Sequence, residues 1–186
     1  MSAYRVASRY AKALLELAVE NDELEHVHGD MLSMLQYTEQ NPDFLNAIQS
    51  PVISSEQKLK VIKALAGKQA SPLSLKFFDL ISKKGRESIL PEMANGFHRL
   101  YNEHHGIQKA DIVATIQLDD ALRQSFKDIV MEVSGKDKVE LIEKIDPKLI
   151  GGFILRIEDR QLDESIKSKL QQLRLGFTQN LYEKKY

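Results

Sequence analysis

Residue types that can hold a phosphate occur in this sequence, but their spacing does not form a phosphate cradle. The P-loop pattern GxxxxGK[ST] places a glycine before and a Ser or Thr after its Gly-Lys pair. At Gly67-Lys68 these positions are Ile62 and Gln69. Gly151-Gly152 does not match GxGxxG and leads into an apolar, strand-like segment rather than a helix. This glycine pair instead predicts a sharp turn or a close backbone approach.

The histidines do not have the spacing of a metal site. His26 and His28 are two residues apart on a predicted helix and point in nearly opposite directions, and the neighbours His104 and His105 also diverge. The chain contains no cysteine, which excludes disulfides, zinc-thiolate sites and thiol catalysis. We therefore expect no metal and no other cofactor.

An acidic cluster near the C-terminus has the residue type used in acid–base catalysis. Glu158-Asp159 and Asp163-Glu164 bracket a predicted turn between strands and lack the glycine of a calcium-binding loop. We interpret the cluster as a solvated turn. The sequence also contains no GxSxG nucleophile elbow, so it predicts a protein without catalytic activity.

Lys83, Lys84 and Arg86 form a short basic cluster with two interpretations. The three side chains have the charge to grip a phosphate. Alternatively, the lysines complement the negative end of a helix dipole, and Gly85 between them and Arg86 caps that helix. We favour the helix cap, because no other phosphate-binding pattern accompanies the cluster.

The overall composition is that of a globular protein with almost balanced charge. Among 186 residues, 42% are hydrophobic, which is enough for one large core or two small ones. Lys and Arg number 26 against 27 for Asp and Glu, so no strong field attracts nucleic acid or anionic lipid. The longest nearly apolar run, Leu149–Leu155, is too short to cross a bilayer. The N-terminus lacks the apolar core of a cleavable signal.

Helical periodicity dominates the first part of the chain and then gives way to a mixed pattern. Six helices are expected. They are Ala3–Asn21, Glu23 to about Gln40, a short helix started by Asn41-Pro42-Asp43 and closed by Ser50-Pro51, one capped by Ser54 or Ser55 and running to Gly67, one opened by Ser71-Pro72 and ended by Lys83-Lys84-Gly85, and one from about Glu87 to His105. After Gly106, alternation around Ile112–Ile116 predicts a strand, followed by a helix capped by Asp119 or Asp120. Strands at Val139–Ile145 and Phe153–Ile157 and a last helix from Ser165 complete the pattern.

These elements predict a mainly α protein with two domains. Residues 1–106 should form an N-terminal six-helix bundle, and residues 107–186 a small α/β domain.

Two of the helices are more apolar than packing on one core requires. On the first helix, apolar side chains cover roughly 200° of the wheel, whereas a core-facing stripe needs about 100°. The fifth helix is similarly wide. Either both helices are central in their bundle, or together they accept an amphipathic partner helix. For the second interpretation the candidate contact residues are Tyr10, Ala13, Leu14, Leu17, Phe77, Leu80 and Ile81.

The last helix has two apolar stripes of unequal quality. Ile166, Leu170, Leu173, Phe177 and Leu181 form a regular stripe that we expect to face the core. Leu175, Tyr182 and Tyr186 form a second stripe, which is either a docking surface or a set of scattered surface residues at a frayed terminus.

The order of several short motifs resembles the delta subunit family of F-type ATP synthases, whose mitochondrial member is the oligomycin-sensitivity-conferring protein. The matching segments extend over nearly the whole chain. One departure is Glu164, where family members often have Gly. The segments are Arg9-Tyr10-Ala11-Lys12-Ala13-Leu14, Lys84-Gly85-Arg86, Leu90-Pro91, Asp146-Pro147, Leu149-Ile150-Gly151-Gly152-Phe153, Arg156-Ile157-Glu158-Asp159 and Leu162-Asp163-Glu164-Ser165-Ile166.

The resemblance implies a non-catalytic stator subunit at the top of the peripheral stalk. It implies that the first and fifth helices receive the N-terminal helices of the alpha subunits, and that the C-terminal domain meets the b subunits. One copy per complex is implied, without insertion into the membrane.

The segment before the first helix bears on the origin of the chain. Because no transit segment precedes that helix, we expect a bacterial protein on the cytoplasmic face of the inner membrane, with a mature organelle form as the alternative. The competing functional hypothesis is an unrelated helical scaffold or regulatory adaptor.

Overall fold

The computed structural model describes residues 3–67 and 70–178. The chain divides into two compact units, Met1–His104 and His105–Tyr186. The sequence analysis placed this division at Gly106. Each unit has its own core and is considered separately.

The first unit consists of helices that begin and end at recognisable signals. Ser54 and Gln57 form a capping box at the start of the fourth helix, and Ser71 caps the fifth, which has Pro72 in its first turn. A 3-10 turn, Glu87–Ile89, precedes the sixth helix. The helices are α1 (Ala3–Glu20), α2 (Leu24–Gln40), α3 (Pro42–Gln49), α4 (Ser55–Ala66), α5 (Pro72–Lys83) and α6 (Leu90–His104).

Helix α6 packs against both α1 and α2 and carries much of the core of this unit. Its Phe97 is completely buried. A Cβ at Gly96 would lie 3.3 Å from the Cβ of Ala11, which is also buried, so two small residues let α1 and α6 approach closely. The close approach fixes which face of α1 turns inward.

A cluster of ring side chains joins α2 to α6. The His28 ring stacks on Tyr101 with centroids 3.5 Å apart, and His28 Nε2 lies 3.0 Å from His98 Nδ1. The Tyr101 hydroxyl donates to both carboxylate oxygens of Glu25, at 2.8 and 3.0 Å. Burial, together with this carboxylate, raises the pKa of Tyr101 to about 12.

The second unit contains a four-stranded sheet with the order β2-β1-β3-β4. Strands β1 and β2 are parallel and joined through α7, whereas β3 pairs antiparallel with β1 and with β4. The elements are β1 (Ile107–Ala114), α7 (Asp120–Ser134), β2 (Lys138–Ile145), β3 (Phe153–Ile157), β4 (Arg160–Asp163) and α8 (Ile166–Thr178).

The core of the second unit lies between α7 and one face of the sheet. Phe126 and Val130 of α7 are buried with Ile112 and Leu155 of the strands, and the rings of Phe126 and Phe153 meet edge-on at 4.8 Å. On the same helix Arg123 donates to Glu143 of β2 at 2.5 Å. This bond and the charge of Arg123 lower the pKa of Glu143.

The glycine pair before β3 makes the close backbone approach predicted from the sequence. Gly152 has φ +77°, and a Cβ there would collide with the carbonyl oxygen of Glu164. Glu164 itself has no positive φ, so the turn does not require a glycine at that position. Its carboxylate pairs with Lys169 at 2.7 Å.

The mainly helical fold with a small sheet near the C-terminus is confirmed, and its details differ from the prediction. Six α-helices precede the sheet, but the expected sixth helix begins as a 3-10 turn, and the described residues hold eight α-helices in all. The first strand starts at Ile107, earlier than expected. Strand β4 was not predicted, because its residues are largely exposed and give little hydrophobic signal.

The expected core stripe of the last helix is wrong. Along α8, Ile166, Leu170, Leu173 and Phe177 are all exposed, Phe177 to 88%. The remaining stripe residues of the prediction, Leu181, Tyr182 and Tyr186, lie outside the described residues.

Candidate partner-binding surface

Helices α1 and α5 meet through an aromatic contact. The Tyr10 ring on α1 packs edge-on against Phe77 on α5, with centroids 6.5 Å apart and an interplanar angle of 61°. Ala13 and Leu17 share the face of Tyr10, since they follow it at helical spacing, and Leu80 shares the face of Phe77 for the same reason. The contact therefore brings the candidate residues of the two helices to one side of the unit.

The structure divides the seven candidate residues into a buried layer and an exposed layer. Leu14, Phe77 and Ile81 belong to the core, with Leu14 2% and Ile81 1% exposed. Tyr10 is half-buried. Ala13 is exposed, as are Leu17, to 46%, and Leu80, to 44%. We call Tyr10, Ala13, Leu17 and Leu80 the α1–α5 surface.

The buried layer contains three of the seven predicted contact residues: Leu14, Phe77 and Ile81. Three of the seven side chains support the surface from beneath, and a partner can touch them only if the core opens. The sequence could not separate the layers, because both fall within the same wide apolar arc of each helix.

Arg86 also belongs to this region, which sequence reasoning missed. Its Nη1 donates to the Tyr10 hydroxyl at 2.8 Å, and its guanidinium carbon lies 5.4 Å from the centre of the Tyr10 ring. A signal was present in Lys84-Gly85-Arg86, since an arginine placed directly after a capping glycine has a defined direction.

The cap at the end of α5 confirms the favoured interpretation of that motif. Gly85 has φ +60°. The Arg86 N–H donates to the Ile81 carbonyl at 3.1 Å, and the Gly85 N–H donates to the Ser82 carbonyl at 2.9 Å. These two bonds form a Schellman motif, which ends the helix and directs Arg86 towards α1.

Helix α4 borders α5 and carries a further exposed apolar residue. Lys63 pairs with Asp79 at 2.7 Å, which ties α4 to α5, and Val61 on α4 is exposed. Val61 was not among the candidates, because the apolar arc of the fourth helix is not unusually wide.

The second unit presents its own exposed apolar row on α8. The helix is anchored at its start: Ser165 is buried, and the Ile166 N–H donates to the Gly151 carbonyl at 3.0 Å. Asp163 accepts from the Ser165 N–H at 3.0 Å and from the Ser168 hydroxyl at 2.7 Å. These hydrogen bonds, chiefly the one from the Ser168 hydroxyl, lower the pKa of Asp163.

The arrangement of the His, Asp and Glu side chains in the described residues decides whether they could hold a metal ion. In residues 3–67 and 70–178, no three His, Asp or Glu side chains come together as they would around a metal ion. Within the same ranges, none of the helices is long and apolar enough to cross a membrane.

Comparison with known proteins decides the family. The model of the family described as "ATP synthase delta (OSCP) subunit" matches residues 6–176. The chain belongs to this family. The same family was expected from the ordered motifs, so that prediction is confirmed.

Relatives of full length support the assignment to the delta family. The "ATP synthase subunit delta" of Cytophaga hutchinsonii is 36% identical over 97% of this chain and 98% of its own. The protein of the same name from Lactobacillus gasseri is 32% identical over 97% of this chain and 98% of its own.

A solved structure shares the fold of this delta-family chain. A chain in the cryo-EM structure of the Toxoplasma gondii mitochondrial ATP synthase hexamer matches with a TM-score of 0.73 and 22% identity. The match covers 92% of this chain and 96% of the other.

Family membership confirms two functional predictions. The chain is a stator subunit of an ATP synthase, and it is non-catalytic. The alternative of an unrelated helical scaffold is excluded. The family name does not identify which residues touch which partner, so the α1–α5 surface remains a prediction.

Proposed function

We propose that this protein is a clamp in the peripheral stalk that links the catalytic head to the b subunits and resists rotation during ATP synthesis. Its first unit binds the N-terminal helix of an alpha subunit on the α1–α5 surface, and its second unit contacts the b subunits. One copy serves each complex, at the cytoplasmic face of a bacterial inner membrane. No bond is made or broken, so the function is mechanical.

The observation that carries the head contact is the exposure of Leu17 and Leu80 on adjoining helices. Leu17 lies one turn from the exposed Ala13 on α1, and the small side chain of Ala13 would allow a partner helix to approach closely. Covering a leucine fully contributes about 1.5–3 kcal/mol, so two half-exposed leucines supply roughly that amount together. The aromatic contact of Tyr10 and Phe77 joins the two helices before a partner arrives, so less order has to be created on binding.

The exposed row on α8 supports the contact with the b subunits. Leu170, Leu173 and Phe177 recur at helical spacing along a helix that nothing else among the described residues covers. Such a row suits a helix-to-helix contact with an elongated partner. Contacts through both units would add avidity, since the second binding event becomes intramolecular.

The head contact is tested by titration calorimetry of the full chain against a synthetic peptide of the alpha-subunit N-terminus from the same organism. We expect one-to-one binding that Ala13→Trp weakens at least tenfold, because the indole fills the space of the partner helix. Ala121→Trp, at an exposed alanine of α7, is the matched control and should bind like the original protein. Unchanged affinity of Ala13→Trp would overturn the surface assignment.

The stalk contact is tested separately with a soluble fragment of the b subunits. Leu173→Asp places a charge in the middle of the α8 row and should abolish pull-down of that fragment while leaving alpha-peptide binding intact. Gln171→Asp, at an exposed neutral residue of the same helix, adds the same single negative charge and is the control. Retention of the b fragment by Leu173→Asp would remove α8 from the interface.

A further inference from the structure

Two arginines of the first unit each contact a tyrosine with nearly the same geometry. Arg86 donates to the Tyr10 hydroxyl at 2.8 Å with its guanidinium 5.4 Å from the ring centre. Arg99 donates to the Tyr4 hydroxyl at 2.7 Å with its guanidinium 5.7 Å from the ring centre. In both pairs the tyrosine restricts the conformation of the arginine side chain. Because the tyrosine is neutral, it does not neutralise the charge of the guanidinium group.

The two arginines differ in their acidic neighbours. Arg99 has Glu103 one turn further along α6, with a nitrogen-to-oxygen distance of 3.9 Å. Arg86 forms no ion pair with any carboxylate in residues 3–67 and 70–178, and the same is true of its neighbours Lys83 and Lys84 in those ranges. An ordered, uncompensated positive charge therefore stands at one end of the α1–α5 surface.

We infer that Arg86 recognises a carboxylate on the partner helix, beside that helix's apolar stripe. The inference rests on the proposed function and adds the partner's chemistry. The occupant is an amphipathic helix that carries an Asp or Glu where it meets the end of α5. Apolar contact with Leu17 and Leu80 does not distinguish the two possible directions of the partner helix. The charge at one end of the surface does, because the carboxylate of the partner must lie beside Arg86.

Arginine suits this role for physical reasons. Its planar fork binds a carboxylate through two parallel hydrogen bonds, which a lysine cannot do. The Tyr10 contact already restricts the side chain, so less conformational entropy is lost when the carboxylate arrives. The Schellman turn at Gly85 fixes the backbone from which it projects.

The test uses the full chain and the alpha-subunit N-terminal peptide from the same organism. Arg86→Gln should weaken binding about twofold to fivefold, the upper part of the range for one exposed ion pair, and should flatten the dependence of affinity on salt. Arg99→Gln removes the same kind of tyrosine-bound charge from a site with its own carboxylate and should leave affinity unchanged. Arg86→Lys should restore only part of the loss.

A set of peptides identifies the carboxylate. Each Asp or Glu of the peptide is replaced in turn by Asn or Gln. We expect one of these peptides to bind the original chain more weakly than the unchanged peptide does. The same peptide and the unchanged peptide should bind Arg86→Gln with equal affinity, because the ion pair is already lost. Tyr10→Phe removes the hydroxyl contact but keeps the charge, so its binding should stay salt-dependent.

The outcomes separate the inference from the proposed function. If the original chain binds the peptide and Arg86→Gln binds equally well at low salt, the surface stands and the recognition of a carboxylate is wrong. If Arg86→Gln and Arg99→Gln weaken binding equally, the effect is one of general charge, and the inference is also overturned. If the original chain does not bind the peptide, the proposed function fails and the inference fails with it.

Discussion

Helices α1 and α8 have similar sequence patterns and opposite environments. Both carry apolar residues at helical spacing, wider on α1 than one core requires. In α1 the central stripe is buried and only its flank is exposed, whereas the stripe of α8 is exposed along the described helix. An amphipathic pattern thus shows that a helix has an apolar face, but it does not show whether the same chain or a partner covers that face.

The difference arises from what each helix finds to pack against. Helix α1 meets α6 over small residues, Ala11 against Gly96, which permit close contact along several turns. Helix α8 is held at its start, by Asp163 and Ser165 and by the backbone bond from Ile166 to Gly151. Along its remaining turns, Leu170, Leu173 and Phe177 are exposed.

The largest test of this contrast removes one phenylalanine from each environment. Phe97→Ala, at a residue that is 0% exposed, should lower the free energy of unfolding by about 3–5 kcal/mol, because it leaves a cavity in the core. Phe177→Ala, in α8, should change it by less than about 0.5 kcal/mol. Urea unfolding followed by circular dichroism measures both. A large loss for Phe177→Ala would mean that α8 is covered in the isolated chain.

A second test uses high pH to loosen the α2–α6 contact of the first unit. The raised pKa of Tyr101 means that its protonated form is stabilised in the folded state, so this contribution is complete below pH 10 and is lost as pH rises towards about 12. We expect Tyr101 to ionise late in an ultraviolet titration, together with falling stability of this unit. Tyr101→Phe should lack that late step. A titration above pH 10 that is the same with and without Tyr101→Phe would contradict the Tyr101–Glu25 contact.

A third test compares two glycines in the first unit that both have open space around them. Gly85→Ala forces alanine into φ +60° and should cost about 1 kcal/mol. Gly29→Ala lies within α2 and should stabilise the protein by up to about 1 kcal/mol. Thermal unfolding of both variants measures the difference. If Gly85→Ala and Gly29→Ala unfold at the same temperature, the left-handed conformation of Gly85 is not required, and the Schellman turn does not fix the position of Arg86.

Much of the fold was predictable because local signals agree with it. The pair Ser71-Pro72, the capping role of Asp119 and the break at Gly135 each mark helix ends that the structure contains. Strand β4 was missed because an exposed edge strand of four residues has almost no hydrophobic periodicity.

The sequence predicted which helices carry the candidate surface, but it did not predict which of their residues are exposed. The wide arcs singled out α1 and α5, but burial of Leu14 and Phe77 depends on which neighbours α1 and α5 meet, and one sequence does not contain that information directly. Arg86 was missed for the same reason, since its contact with Tyr10 joins residues that are far apart along the chain.

The smallest expected effect concerns the anchor of α8 and appears at low pH. Because hydrogen bonds from Ser168 and Ser165 lower the pKa of Asp163, its carboxylate stabilises the folded state above the unfolded value of 3.8. That contribution is lost as pH falls below 3.8 through the lower folded value. The protection of amides in the first turn of α8, expressed relative to the intrinsic exchange rate at each pH, should therefore fall in acid.

The matched variant for this anchor is Asp163→Asn. It keeps one acceptor oxygen but cannot titrate, so its exchange in α8 should start faster and should lack the acid-dependent step that Asp163 provides. Glu143 titrates in the same direction, but it lies on β2 and pairs with α7, so exchange resolved by residue separates the two groups. If acid leaves the protection of α8 amides unchanged in the original protein, Asp163 does not hold this helix, and α8 must be anchored through Ser165 and Ile166 instead.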